Sequence, residues 1–328
     1  MLFLLRKLGF YLIAFWAALT VNFVIPRLMP GDPVDILISR LGQRGPVSPE
    51  TRASIEALLG TASGEPWISQ YGDYLRNLAT GDLGLSVTFF PTPVSSIIGQ
   101  TLPWTIGLIG LATVLSFVLG VGLGTLAGWK RGSWLDNLIP VTTMFQSVPY
   151  FWLALILLFV LGSLWPVFPL NGGYDVYTVT PGWNAAFAGS VLYYGTLPAL
   201  TIILSSIGGW MLGMRNMMVS TLSDDYLLTA EAKGLRRKRI MLRYAARNAV
   251  LPSVSGFAIS LGFVVAGSIV TEAVFSYPGI GSALLQAVGS NDYALMQGIF
   301  LVITLSVLSA NLLADLLHSV IDPRTRAR

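Results

Sequence analysis

Five stretches of this 328-residue chain carry no Asp, Glu, Lys or Arg: residues 83–129, 137–174, 176–214, 248–271 and 293–314. A helix crossing the roughly 30 Å hydrocarbon layer needs about 20 apolar residues, and each stretch can supply them. A soluble fold carries about 25% charged residues. Here 11% are charged and 54% apolar, too few polar side chains to cover a water-facing surface. In lipid the backbone must satisfy its own hydrogen bonds, so the pattern implies helices. The chain reads as an all-α polytopic membrane protein forming a single transmembrane domain over residues 1–328.

Six transmembrane helices are expected, at residues 8–25, 102–128, 138–161, 191–213, 249–271 and 295–317. The first follows Arg6 and Lys7 as a signal peptide would. It lacks a small-x-small cleavage site and runs into PRLMPGDP, so it is read as an uncleaved anchor. Six crossings put both termini on one side. That side holds 15 Lys and Arg against 5 on the other, which makes the N- and C-termini and the 214–248 loop cytoplasmic.

On the opposite side the longest segment is an extracytoplasmic insertion at about 29–101. Ser48 as N-cap and Pro49 at the first helical position predict a helix ending before Gly60. A second is expected over 67–78, closed by a Gly81-Asp82 turn. The 162–190 segment is uncharged except for Asp175 and rich in aromatics, among them Trp165, Tyr174, Tyr177 and Trp183. These rings suit either sugar stacking or an interfacial aromatic belt. In the third segment, SYPGIGS predicts a turn or re-entrant bend at Pro278–Gly279.

Several chemistries are excluded. There is no cysteine, and His318 is the single histidine, so thiolate chemistry and histidine-cluster metal sites are out. The dipeptide Gly-Lys never occurs, so there is no P-loop. No protease or hydrolase constellation is present, and the chain is read as a non-enzyme without a bound cofactor or metal. An ion-coupled carrier needs ionisable groups deep in the bilayer. Glu272 and Asp315 come nearest, both at span ends. Glu272 is read as an interfacial carboxylate reaching water, and Asp315 as a local partner of His318.

The charge lies in a cytoplasmic loop at about 214–250. Asp224 or Ser223 can cap a helix whose first turn carries Asp225. Tyr226–Lys233 then forms a short helix with Ala230 and Ala232, small enough for close approach by a partner. Gly234 permits a sharp break. A second helix from Arg236 to Val250 would place Arg236, Arg239, Arg243 and Arg247 near one face, ahead of Pro252. Read from its residues, the loop is either a docking element or a basic segment that orients the protein and touches anionic lipid.

TAEAKGL, followed eighteen residues after Gly234 by Pro252, resembles the "EAA" loop of ATP-binding-cassette importer permeases. More closely, the chain is similar to the B-type subunit of the dipeptide/oligopeptide permease family. The similarity runs through PGDP (30–33), GDLGLS (81–86), LPWTIGL (102–108), KRGSWLD (130–136), LPALT (197–201), DYLLTAEAKGL (225–235), RNAVLP (247–252), EAVFSYPGIG (272–281), DYALMQGI (292–299) and DPRTR (322–326). Two departures stand out. The general pattern puts Glu where Leu228 lies, and peptide-type permeases often carry His at the position of Tyr244.

The resemblance implies a type I ABC importer permease fold in a prokaryotic inner membrane. Its partners would be a second homologous permease, two ABC ATPases at the cytoplasmic loop and an extracytoplasmic substrate-binding protein. Asp225, Tyr226, Thr229, Ala230, Glu231, Ala232, Lys233, Gly234 and Leu235 would form the ATPase-coupling element. ATP and Mg would be used by the partner ATPases. Short peptides are the implied cargo, with oligosaccharides the alternative; an ATPase-independent channel or secondary carrier is the reading from another class.

Overall fold

The computed structural model describes residues 2–42, 48–59, 66–265 and 269–321, and among them it is helical, with one isolated bridge between Leu85 and Pro93. In chain order come α1 (Leu2–Leu28), α2 (Pro33–Gly42), α3 (Pro49–Leu59) and α4 (Trp67–Thr80). Helix α5 (Val94–Trp129) runs through a π-turn at Ile106–Gly110. Then follow α6 (Trp134–Ser147), α7 (Tyr150–Leu164) and α8 (Ala185–Thr221). After these come α9 (Asp225–Ala232), α10 (237–249, with a π-turn at Ile240–Ala245) and α11 (Leu251–Val264). The chain closes with α12 (Ile269–Val274), α13 (Ile280–Gly289) and α14 (Tyr293–Ile321). The DPRTR segment and the three arginines of the tail lie outside the described residues.

Among the described residues four helices are long and apolar enough to cross a membrane, or five when the bent pair α6–α7 is taken as one span. One expectation needs correction. The single span expected at 138–161 is broken, with a 99° bend between α6 and α7. Pro149 has no N–H to continue the helix and drives Val148 to an extended ψ of 128°. The span expected at 249–271 takes in α11 and part of α12, and its residues 266–268 lie outside the described residues. The expected bounds of α3 are met, and α4 runs two residues further than expected.

The described chain divides into two compact units, residues up to 105 with 278–308, and 106–277 with the remainder. In the first unit, α4 packs on α1 through rings. Phe23 is buried edge-on to Tyr71, with centroids 5.1 Å apart, and the Arg27 guanidinium lies 3.6 Å over its face. Val34, Leu37, Ile55 and Val87 form an apolar cluster beneath α2 and α3. Three sequence-distant motifs meet at the start of α14. The buried Asp292 carboxylate accepts from the Ser86 hydroxyl, from Thr88 N–H at 2.8 Å and from Leu295 N–H at 3.1 Å. Asn291 Nδ2 donates to the Pro30 carbonyl and Tyr293 O–H to the Gly31 carbonyl, each at 2.9 Å.

The second unit is built on α8. Its 37 residues extend about 55 Å, well beyond the hydrocarbon thickness. The 106–129 part of α5 lies against α8 with Gly120, Gly124 and Gly128 at the seam; a Cβ on Gly124 would sit 2.4 Å from the Met211 carbonyl oxygen. Small residues let two backbones approach where lipid gives no hydrophobic drive. Ser116 and Ser206 hydrogen-bond across this interface at 2.8 Å. Phe117 stacks on Phe257 of α11, with centroids 4.2 Å apart.

Glu272, expected to reach water, is instead fully enclosed at 0% exposure. The reason is the packing of α12 on α7 and α8, in which Phe275 joins Ala154 and Leu197 in one core. In the 162–190 segment Asp175 accepts from the Thr178 hydroxyl and from the backbone of Tyr177. These bonds hold its carboxyl below the usual range, the hydroxyl bond having the larger effect.

Candidate coupling site

Residues 214–221, expected as loop, are two further turns of α8. A three-residue turn then leads into α9, whose N-cap Asp224 has extended backbone (φ −79°, ψ 138°) but lends no side-chain cap. Asp225 in the first turn still complements the helix dipole. At the other end Gly234 takes a left-handed φ of +69°. Gly234 N–H donates to the Glu231 carbonyl at 2.9 Å and Leu235 N–H to that of Ala230 at 3.4 Å. This pair of bonds is a Schellman closure, and a glycine at its left-handed position is what makes the reversal cheap. No atom lies within 4 Å of where a Cβ would go, so backbone angle rather than space selects the glycine.

The two faces of α9 differ. Leu227 and Ala230 are buried with Met214 and Met218 of α8 and Ile240, Ala245 and Ala249 of α10, and Leu235 packs at the edge of this cluster. Asp225, Tyr226, Leu228, Thr229, Glu231, Ala232, Lys233 and Gly234 are exposed. Ala230, read from sequence as a contact for a partner, is only 3% exposed; its small size serves packing within the chain. Ala232 keeps the expected outward position. Tyr226 is half held, donating to the Tyr244 carbonyl at 3.3 Å and accepting from Asn248 Nδ2 at 2.9 Å, so α9 is tied to α10.

Sequence reasoning missed Leu228 as a site residue, noting it only as a departure. It is 63% exposed in the middle of the outward face. A helical wheel would have placed it opposite Leu227 and Ala230, and a leucine on a polar face points to a protein contact.

The inward face leads into the spans. Cβ atoms added at Gly124 and Gly128 would lie 2.9 Å and 2.6 Å from the Cβ atoms of Met214 and Met218, the residues on which α9 rests. A second tie lies beside them. Arg215 Nε donates to Asp136 Oδ1 at 3.0 Å and Nη2 to Oδ2 at 3.3 Å, while Gly132 N–H reaches Oδ2 at 2.9 Å. Arg131 Nη2 donates to the Val219 carbonyl at 3.1 Å. The KRGSWLD turn is thereby stapled to the base of α8. Among the described residues no cluster of His, Cys, Asp and Glu is placed to hold a metal ion.

Residues 120–327 match the family described as binding-protein-dependent transport system inner membrane component. The chain belongs to that family. Its relatives extend the likeness over the whole length. It is 32% identical to the dipeptide transport system permease protein DppB of Escherichia coli (strain K12), over 99% of this chain and 98% of that one. It is 34% identical to the di/tripeptide transport system permease protein DppB of Pseudomonas aeruginosa (strain UCBPP-PA14), over 99% and 98%. It is 30% identical to the oligopeptide transport system permease protein AppB of Bacillus subtilis (strain 168), over 93% and 92%. As an inner-membrane component of a binding-protein-dependent system, the chain is a transport permease.

Proposed function

We propose that this permease is one of two membrane subunits of an ATP-driven importer of short peptides. The chain crosses the membrane six times, through α1, α5, α6–α7, α8, α11–α12 and α14, with both termini and the 214–250 loop in the cytoplasm. The excess of Lys and Arg on that side supports the orientation. Two partner ATPases hydrolyse ATP with Mg, an extracytoplasmic binding protein delivers the peptide, and a second homologous permease completes the path. The peptide cargo rests on the names of the three relatives.

The observation that carries the coupling role is the split character of α9. Its inner face is locked to α8 through Leu227 and Ala230, so movement of the helix must be passed to Met214 and Met218. Its outer face, centred on Leu228, Thr229 and Ala232, is left for a groove of the ATPase. ATP-driven closure shifts the permease between inward- and outward-facing states only if that groove holds α9 differently in the two nucleotide states. The test is Leu228→Lys in cells, opposite in charge to the Glu of the general loop pattern, scored by uptake of labelled di- and tripeptides and by recovery of the ATPases with the permease. Uptake should fall at least tenfold with normal insertion and lost ATPase recovery. Unchanged uptake would overturn the assignment.

A further inference from the structure

Beyond α9 the chain forms a cleft that begins at Gly234 and Leu235 and is lined mainly by residues outside the coupling element. It has a volume of about 630 Å³, and Arg236, Lys238, Arg239 and Arg243 line it together with Leu235 and Leu242. Its lining contains no acidic residue, and no carboxylate pairs with these four cations among the described residues. All four are exposed. Arg239 and Arg243 fall four residues apart on α10 and Arg236 stands at its extended N-cap, so like charges are gathered at one end of the helix, an arrangement that an anion would relieve.

We propose that this cleft binds the phosphate of an anionic phospholipid of the cytoplasmic leaflet; the orientation of the loop in the proposed function is assumed. Three features select the ligand. Guanidinium forks match phosphate oxygens in geometry and charge. The cleft is far larger than a phosphate ion, and its leucines, with Leu242 49% exposed, suit the glycerol and first methylenes of a lipid rather than a free anion. The position is also right. Arg243 lies eight residues before Leu251, where apolar α11 begins, about 12 Å of helix rise. A long arginine side chain can cover much of that distance to the headgroup layer.

The assembled transporter is titrated with short-chain phosphatidylglycerol in phosphatidylcholine nanodiscs, and retained lipid is read by mass spectrometry of the intact complex. The variants are R239Q/R243Q, which strips two lining cations, and R237Q, which removes the neighbouring exposed charge outside the cleft. Each lost cation near an anionic surface weakens binding about fivefold, so the double variant should bind phosphatidylglycerol ~30-fold more weakly. R237Q should stay near wild type. Equal losses in the two variants would overturn the site, reducing it to unspecific charge. Full occupancy by inorganic phosphate, with no gain from phosphatidylglycerol, would overturn the lipid source. Loss of the ATPases from R239Q/R243Q with lipid binding unchanged would overturn the proposal by making the cleft a protein-docking surface. Wild-type complex that retains lipid through the cleft but no ATPase would instead break the proposed function alone.

Discussion

The first unit and the α8–α10 foot of the second are held together by opposite means. In the first unit long-range polar bonds converge on the start of α14, with Asp292 receiving Ser86, Thr88 and Leu295 and with Asn291 and Tyr293 gripping the Pro30–Gly31 turn. At the foot an apolar core of Met214, Met218, Leu227, Ala230 and Ile240 does most of the holding, with Tyr226 tied to Tyr244 and Asn248 at its edge. Loops that cannot bury enough apolar surface are pinned by a few directional bonds, whereas the short helix α9 is fused to α8 by packing. Polar pins resist displacement at a point; a close-packed core moves as one body.

The sharpest break in this contrast comes at the α5–α8 seam. Gly124→Leu would drive a side chain into the Met211 backbone and should cost more than about 3 kcal/mol, leaving little assembled permease. Gly122→Leu, with nothing within 4 Å of its Cβ, should insert and fold normally. Yield and thermal unfolding of the two variants separate them. For the polar unit, Asp292→Ala strands three donors and should cost about 3 kcal/mol, read as a lowered melting temperature. In the foot, Leu227→Ala should cost about 2 kcal/mol by opening a cavity. Gly234→Ala should cost about 1 kcal/mol from the left-handed backbone, without any clash. The smallest effect on stability is Leu228→Ala, less than about 0.5 kcal/mol, which should act on uptake alone.

What the sequence disclosed was what is local. Charge-free runs gave the apolar helices, Ser48-Pro49 the start of α3, and Gly234 the break after α9. The 99° bend was signalled by Pro149, but a continuous apolar run masks a change of direction, because hydrophobicity does not report the path of an axis. Glu272 was misread for a similar reason: a carboxylate near a span end reaches water only if no other helix covers it, and α7 and α8 do. The joining of PGDP, GDLGLS and DYALMQGI rests on bonds between residues more than 200 apart, invisible to any periodicity. Within the proposed coupling element, the eight residues of α9 were not sorted by face from the sequence. That sorting separates Leu228 from Ala230.

Because the chain contains no cysteine, single-cysteine variants report without background. The most direct test of the central claim is cross-linking of Leu228→Cys to a cysteine in the ATPase groove, with and without ATP, against Tyr177→Cys as the reference, itself 95% exposed in the 162–190 segment. The account predicts a cross-linked product from position 228 whose yield changes with nucleotide, and none from position 177. Absence of product at 228, or a yield indifferent to ATP, would contradict it.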